Sequence, residues 1–374
     1  MAGVYIHIPY CRQACRYCDF HFVVSVWQKK ELLPFILKEI EERNSYLGNE
    51  EIKTIYFGGG TPSVMEIGDL NAIIESIYRF YKVSPEAEFS FEANPEDLKS
   101  SYLKDLRKTG INRLSIGIQS FQDSDLELMH RIHNGKQAEE SVKFAQDNGF
   151  ENISIDLIYG IPRQESGSWE KNLDTAFNMG VQHFSAYHLT YEEGTIFDHW
   201  RKKGRINTIT EEESLKQFKT LINKAAEHSF EHYEISNFAL KGFESQHNKS
   251  YWEQKKYLGI GPSAHSYDLK SRRWNVRNNN KYMEAMHSGR EYFETEILTP
   301  ENRYNEFIMT SLRTTMGVNS LKIKEQFGEE RAKFFTSKIQ KFADSGHVTI
   351  EHDIYKLSID GIFIADHVIE GVFI

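Results

Sequence analysis

Short apolar runs alternate with longer amphipathic stretches along the first half of the chain. The first amphipathic stretch repeats Leu32, Ile36 and Ile40 at intervals of four, which places them on one face of a helix. The apolar runs are rich in Ile, Phe, Tyr and Val, and turn residues bound most of them, as is typical of β-strands. The predicted strands cover residues 4–9, 54–57, 88–92, 113–118, 153–159 and 183–190. Further helices are predicted over about residues 67–81, 97–108, 137–148 and 168–178.

This order of elements predicts an α/β fold. Six strands that are each followed by a helix indicate a parallel sheet, because parallel neighbours need crossover connections. An open doubly wound sheet and a partial barrel both satisfy the pattern. In either one, ligands gather at the C-terminal ends of the strands.

The pattern changes in the second half of the chain. A helix with one apolar stripe is predicted over about residues 210–228. From about residue 300 the predicted elements are helices over 306–313, 320–327 and 330–343, then two apolar segments near 347–358 and 362–369. We expect a separate, mostly helical, winged-helix-like module with a small hairpin. Because it carries no basic stripe, a packing or lid role is favoured over DNA binding. The predicted domains are residues 1–205, 206–299 and 300–374.

Composition narrows the class of protein. The 374 residues are 40% apolar and 26% charged, the balance of a soluble globular chain. Lys+Arg number 45 and Asp+Glu 54, and the net charge of -9 argues against a general affinity for nucleic acid. The first residues lack the basic start and apolar core of a secretory signal, and no apolar run approaches the roughly 20 residues of a membrane span. We expect a cytoplasmic protein.

The three cysteines of the chain lie within eight residues, as Cys11-x3-Cys15-x2-Cys18. This odd and tight spacing is a poor disulfide framework. The loop directly follows the first predicted strand. Three thiolates can bind three irons of a four-iron cluster and leave one iron open for a ligand. The alternative is zinc held by the three cysteines and a histidine, either His7 or His21.

Polar residues mark the ends of several predicted strands. Three glycines at 58–60 follow the second strand and allow the backbone to approach a ligand closely. Glu92, Gln119 and Asp156 interrupt later strands, where burial without a partner is costly. Arg131 is the expected charge partner of a carboxylate. Because strand ends of one parallel sheet lie together, we expect these side chains to converge on one pocket.

The cysteine spacing, with Tyr17 before the last cysteine, resembles the signature of radical S-adenosylmethionine (SAM) enzymes. In that family the open iron of a [4Fe-4S] cluster binds the amino and carboxylate groups of SAM, and an electron from the cluster cleaves SAM to a 5′-deoxyadenosyl radical. The resemblance implies a partial (β/α)6 TIM-like barrel followed by a helical C-terminal domain. It also implies a reductant such as flavodoxin or ferredoxin.

The similarity is most specific to the oxygen-independent coproporphyrinogen III oxidase group. It runs through most of the chain, including residues 233–239 and 259–266. It implies that the barrel with its cofactor sites occupies residues 1–205 and that 300–374 form the C-terminal domain of that group. The positions that the resemblance assigns to SAM are Tyr5, Tyr17, Gly59, Gly60, Thr61, Glu92, Gln119, Arg131, Asp156 and, as a weaker match, Ala186.

Two features indicate which branch of the group the chain resembles. Phe20 stands where the decarboxylating oxidases have a fourth cysteine. Residues 247–252, in the extension 206–299, fit the His-Asn-x-x-Tyr-Trp motif of HemW-type heme chaperones, which are thought to deliver heme to acceptor proteins. The resemblance implies heme contact by His247, Asn248, Tyr251 and Trp252, and it leaves room for a transient membrane contact during transfer.

The imidazole of His247 can be an axial ligand of heme iron, and the rings of Tyr251 and Trp252 can pack on a macrocycle. His7 and His265 are lesser candidates for the ligand. The alternative function is the oxidase itself, which decarboxylates the propionates of coproporphyrinogen III to give protoporphyrinogen IX. Phe20 and the short segment before Cys11 argue against it. A zinc-stabilised scaffold is the third hypothesis. No catalytic residue is assigned.

Overall fold

A single long sheet dominates the computed structural model, which describes residues 2–25 and 28–374. The strands are β1 (Ala2–Ile8), β2 (Ile52–Gly59), β3 (Val83–Ala93), β4 (Arg113–Gln119), β5 (Asn152–Tyr159), β6 (His183–His188), β7 (Glu231–Glu234), β8 (Asn237–Ala239), β9 (Lys256–Ile260), β10 (His265–Tyr267), β11 (Ser271–Asn275), β12 (Phe293–Ile297), β13 (Val318–Asn319), β14 (Val348–Glu351) and β15 (Ile354–Leu357). In these described ranges twelve strands form one sheet in the order β12-β11-β10-β9-β1-β2-β3-β4-β5-β6-β8-β7.

Helices connect the parallel strands, as the sequence pattern predicts. They are α1 (Lys29–Glu42), α2 (Ile67–Phe80), α3 (Ser100–Lys108), α4 (Asp123–Met129), α5 (Gly135–Asp147), α6 (Ser168–Asn178), α7 (Ile196–Lys202), α8 (Glu211–Glu227), α9 (Gln246–Trp252), α10 (Asn279–His287), α11 (Pro300–Leu312), α12 (Ser320–Phe327), α13 (Glu329–Asp344), α14 (Ile359–Phe363) and α15 (Ala365–Glu370). Strands β1 to β6 pair in parallel, and a helix follows each of the first five before the next strand begins. The predicted α/β fold class is confirmed.

The two faces of the parallel strands differ in chemistry. Val4, Ile6 and Ile8 alternate along β1 with 0–1% of their surface exposed, in the apolar core. The intervening positions are polar on several strands and lie in register, so that Tyr5 is beside Tyr56 and Glu92 is beside Ser115. This alternation follows from the period of two in a strand. The polar face is the one on which ligand-binding groups can collect.

Six further strands extend the sheet beyond the predicted set. Strand β9 pairs in parallel with β1, and β10 to β12 continue that edge in antiparallel fashion. Strands β8 and β7 extend the opposite edge from β6. These strands have three to five residues each, too few for a clear period of two in the sequence.

The C-terminal module, residues 300–374, has its own apolar core and its own three-stranded sheet of β13 to β15. The hairpin lies at 348–357, and the last apolar segment is helical, in α14 and α15. The module touches both ends of the long sheet. At one end the amide of Ile235 donates to the carbonyl of Arg313 at 3.1 Å, and at the other Arg272 binds Glu306 at 2.6 Å. A helix able to cross a bilayer does not occur in residues 2–25 or 28–374.

Candidate functional site

A cavity of about 1230 Å³, the first cavity, lies at the C-terminal ends of the parallel strands. Its walls include the three cysteines and residues that end strands β2 to β6. Residues 362–367 of the C-terminal module line the same space. Parallel strands direct their carboxyl ends to one edge, so polar groups distant in sequence meet here.

The loop after β1 brings all three thiols to this cavity. The hydroxyl of Thr61 donates to Sγ of Cys11 at 3.2 Å, and Nη1 of Arg131 donates to Sγ of Cys15 at 3.3 Å. Burial raises the pKa of Cys11 to about 11 and that of Cys18 to about 12. These thiols are therefore protonated at neutral pH, and a metal centre that binds them displaces their protons.

The donor set fits an iron–sulfur cluster better than zinc. In residues 2–25 and 28–374 no group of three Cys, His, Asp or Glu side chains lies close enough together to bind a single metal ion such as zinc. A four-iron cluster does not need that closeness, because each thiolate binds a different iron. His7 has no free ring nitrogen, because Nδ1 contacts the hydroxyl of Tyr5 at 3.1 Å and Nε2 donates to the carbonyl of His21 at 2.9 Å. Hydrogen bonds to sulfur, as from Thr61, are a known means of tuning such clusters.

Two partly buried carboxyl groups face the first cavity from strands β3 and β5. Glu92 accepts from the hydroxyl of Tyr56 at 2.8 Å and from the amide of Gly59 at 3.2 Å, and burial raises its pKa to about 7. Asp156 accepts from the Ser115 hydroxyl at 3.4 Å, and burial raises its pKa to about 6. Neither forms an ion pair within the described part of the chain. A cationic group bound here would favour the ionised form of both.

Arg131 and Gln119 complete the polar wall. Nη2 of Arg131 donates to Oδ1 of Asn94 at 2.7 Å and to the carbonyl of Gly117 at 2.8 Å. Among the described residues Arg131 contacts a thiol, an amide oxygen and a carbonyl, and no carboxylate lies within ion-pair distance of it. The predicted pairing with a carboxylate is therefore not a direct contact, although Arg131 and Glu96 interact electrostatically at longer range. Nε of Arg131 is buried and has no partner among the described residues. Gln119 has a φ of 70°, a strained value that is typical of functional sites.

The structure brings together nearly all of the residues proposed for the cluster and for SAM. Those that line the first cavity are Cys11, Cys15, Tyr17, Cys18, Gly59, Gly60, Thr61, Glu92, Gln119, Arg131, Asp156 and Ala186. Tyr5 does not share this lining, because its hydroxyl turns to His7 and its ring faces a second space. Sequence reasoning missed Asn94, which binds Arg131. Its position just after a strand-end carboxylate was the available signal.

Helix α9 carries the His-Asn-x-x-Tyr-Trp motif and lies against the polar face of the sheet. The carboxylate of Glu88 on β3 accepts from the amides of Gln246 and His247 at 2.9 and 3.0 Å. A carboxylate at a helix N-terminus satisfies amides that have no partner within the helix. The hydroxyl of Ser245 caps the same end by accepting from the amide of Asn248 at 3.3 Å. The helix is thus fixed to the sheet by its first turn.

His247 is an anchor of this helix. Its side chain is buried, with Nδ1 2.7 Å from the hydroxyl of Thr54 and Nε2 2.8 Å from that of Tyr251. Burial lowers the pKa of His247 to about 3, so its imidazole is neutral. Both ring nitrogens are occupied, and the ring stacks on Tyr56 with centroids 5.0 Å apart.

A second cavity, of about 490 Å³, lies beside the first. Tyr251 and Trp252 of α9 line it, together with Tyr5 of β1 and His265 of β10. Asp19 and Phe20, directly after the last cysteine, line both cavities. The motif helix therefore contributes to a space separate from the cysteine site but adjoining its loop.

Comparison with known proteins identifies the family. The Radical SAM superfamily model matches residues 5–176, and the HemN C-terminal domain model matches residues 298–364. Over 349 residues the chain is 36% identical to the heme chaperone HemW of Bacillus subtilis (strain 168), covering 92% of both proteins. The chain belongs to the HemW family.

Two further comparisons are consistent with membership of the HemW family. The heme chaperone HemW of Lactococcus lactis subsp. lactis (strain IL1403) is 33% identical, with 90% of this chain and 88% of the relative covered. The solved structure of coproporphyrinogen III oxidase (HemN) from Escherichia coli has a TM-score of 0.85 at 20% identity, covering 100% of this chain and 90% of that one. That likeness shows a shared fold. The radical SAM family implies a [4Fe-4S] cluster and SAM.

Proposed function

We propose that this chain is a heme chaperone that binds heme and delivers it to acceptor proteins. The observation that carries the proposal is the 36% identity to HemW of Bacillus subtilis across 92% of both chains. The absence of a fourth cysteine, with Phe20 in its place, supports the same choice. We further infer a cytoplasmic location, a reductant such as flavodoxin or ferredoxin, and a transient membrane contact during transfer.

The chain's own residues would hold the cofactors as follows. Cys11, Cys15 and Cys18 bind a [4Fe-4S] cluster, which when bound supplies an open iron that chelates SAM. Thr61 donates a hydrogen bond to Sγ of Cys11, and Arg131 donates one to Sγ of Cys15.

The remaining strand-end groups would hold SAM. Glu92 and Asp156 lie where a cationic ligand offsets the cost of burying two carboxylates. Gly59 and Gly60 present backbone at the end of β2, and Gln119, Arg131 and Ala186 line the same cavity. These assignments rest on the match to the family's motif and on the shared lining of the first cavity.

For heme we propose contact with the motif helix α9. Tyr251 and Trp252 present rings to the second cavity, and Asn248 lies on the same helix. His247 supports this surface through the hydrogen bond from its ring to the Tyr251 hydroxyl. In this arrangement His247 acts on heme through Tyr251, because its two ring nitrogens are already bonded.

The oxidase is the second candidate function, and the size of the first cavity favours it. About 1230 Å³ exceeds the roughly 300–1,000 Å³ that is usual for one small ligand. A substrate beside SAM would meet Tyr187 and Phe363, which also line this space. Anaerobic conversion of coproporphyrinogen III to protoporphyrinogen IX, followed by porphyrin fluorescence after oxidation, would establish it.

Heme transfer to an acceptor tests the proposed function. The reconstituted chain is loaded with one equivalent of hemin under anaerobic conditions and mixed with an apo form of a b-type cytochrome. We expect the cytochrome spectrum to develop faster than with an equal amount of free hemin. Cys15→Ser, which loses one cluster ligand, shows whether delivery needs the cluster. Equal rates from the loaded wild-type chain and from free hemin would contradict the chaperone function.

A further inference from the structure

The second cavity is bounded by three parts of the chain that are distant in sequence. Phe20 comes from the cysteine loop, Trp252 from helix α9, and Met309 from α11 of the C-terminal module. Its volume of about 490 Å³ is within the roughly 300–1,000 Å³ typical of small-molecule sites. The side chain of Phe20 is 68% exposed, so it is accessible from this cavity.

The walls of this cavity suit a flat, largely apolar ligand. Tyr251, Trp252, Tyr257 and Tyr267 all line it with aromatic rings. The indole N–H of Trp252 is buried and has no hydrogen-bond partner within the described ranges. A buried donor in that state costs free energy, which an acceptor on a bound ligand would recover. Planar faces with a few polar groups are typical of cofactor sites.

Only one of the three histidines that line the second cavity has a ring without hydrogen bonds in the described part of the chain. His7 uses both ring nitrogens, and Nε2 of His21 contacts Oδ1 of Asn279 at 2.8 Å. His265 has no hydrogen bond among the described residues. The residue lines the cavity and is exposed there, and partial desolvation of its ring together with the charge of Arg272 lowers its pKa below the usual range. A neutral imidazole with a free lone pair is the form that ligates iron.

The backbone around His265 holds its ring in a defined position. His265 is the cross-strand partner of Trp274, and the two rings stack with centroids 6.1 Å apart at 27°. Ser263 and Gln254, which line the same cavity, have φ values of 64° and 53°. Such left-handed backbone is strained in residues other than glycine and is concentrated at functional sites.

A cation at the rim of the second cavity is available for an acidic ligand. Arg277 lines the cavity, is exposed, and forms no ion pair in the described ranges; it donates to the carbonyl of Asp19. Arg272 differs, because Glu306 neutralises it at 2.6 Å. Arginine binds carboxylates through a planar pair of donors.

We propose that the second cavity is the heme site, with the His265 imidazole as the axial iron ligand and Arg277 as the partner of a heme propionate. The proposal rests on the proposed heme chaperone function and names the residues that would carry it. It separates the heme site from the first cavity, with Asp19 and Phe20 as the shared wall.

Hemin titration followed by absorption spectroscopy tests the ligand. We expect His265→Ala to lose the Soret band of the histidine-ligated complex and to weaken binding at least tenfold. His265→Gly should regain the wild-type spectrum when free imidazole is added, a rescue that a purely structural role would not give. His188→Ala and His367→Ala, which change histidines of the first cavity, serve as controls and should leave the spectrum unchanged.

The role of Arg277 is tested with two probes, hemin and hemin dimethyl ester. Arg277→Gln should weaken hemin binding several-fold and leave binding of the ester unaffected. If wild type fails to bind hemin, the chaperone function itself fails. If wild type binds hemin and His265→Ala binds it with the same spectrum and affinity, the proposed heme site is wrong although the chaperone function stands. The same conclusion follows if His188→Ala or His367→Ala abolishes the Soret band instead.

Discussion

We expect replacement of His247 by alanine to weaken the folded chain, because this side chain fixes helix α9 to the sheet. The substitution removes hydrogen bonds of 2.7 and 2.8 Å to the hydroxyls of Thr54 and Tyr251. Each hydroxyl then loses its only hydrogen-bond partner among the described residues. A buried hydroxyl left unpaired costs about 1–3 kcal/mol, and the lower end applies to the partly buried Tyr251.

The expected loss in unfolding free energy is therefore about 2–4 kcal/mol. In a large domain 1 kcal/mol corresponds to about 2–4 °C, so the melting temperature should fall by roughly 5–15 °C. Circular dichroism melting of wild type and His247→Ala, prepared with equal cluster content, measures the shift. His287→Ala, at an exposed site on α10, is the matched control and should shift the midpoint by less than about 2 °C.

A double-mutant cycle tests whether Thr54 is the partner that matters. Thr54→Val removes one hydroxyl without changing the shape of the side chain. In the double variant with His247→Ala, no unpaired hydroxyl remains at position 54, so the combined loss should be smaller than the sum by about 1 kcal/mol. A melting temperature of His247→Ala within 2 °C of wild type, or strictly additive losses in the cycle, would refute the anchoring role.

Three further outcomes follow from the structure. Because burial raises the pKa of Glu92 to about 7, SAM should bind the cluster-loaded chain up to about tenfold more weakly at pH 6 than at pH 8, as measured by calorimetry. Glu92→Gln should remove most of this pH dependence, and a wild-type affinity that does not change with pH would contradict the role of Glu92. Burial likewise raises the pKa of Glu234 to about 7, above its value in the unfolded chain, so the stability that this group contributes is present below about pH 4.5 and is lost as the pH rises through 7. Glu234→Gln should therefore have a higher melting temperature than wild type at pH 8 but not at pH 4.5. An equal gain in melting temperature at both pH values would exclude this cause. Gly59 has a φ of 113°, and a Cβ atom at this position would lie 2.7 Å from the His7 ring, so Gly59→Ala should lower the melting temperature. Gly68 in α2 has open space around it, so Gly68→Ala is the control and should not lower the melting temperature. Equal melting temperatures of the two variants would show that the turn at Gly59 tolerates a side chain.

The parallel half of the fold could be predicted from the sequence because its strands contain runs rich in Ile, Phe, Tyr and Val. All six were predicted within a few residues of their positions, since burial on the helix-covered face dictates their composition. Strand β9 could not be predicted, because it has five residues and pairs with β1, some 250 positions earlier. Its formation depends on a surface that exists only once β1 is in place.

The candidate site was predictable to a similar degree. The cysteines and the strand-end carboxylates converge because the ends of parallel strands must lie together. The direction of Tyr5 and the anchoring of His247 were not predictable. Each depends on a single partner, His7 for the first and Thr54 for the second, and no local pattern states which way a polar side chain turns.

The C-terminal module contacts both ends of the twelve-stranded sheet and contributes residues to both cavities. Residues 362–367 line the first cavity, and Met309 and Thr310 line the second. A rigid-body displacement of the module would alter the entrances of both cavities at once. If the ligands of the two cavities each bind one position of the module more tightly than the other, each ligand changes the affinity for the other by the same factor, because thermodynamic linkage is reciprocal. The release of one ligand can in this way be made conditional on the arrival of another.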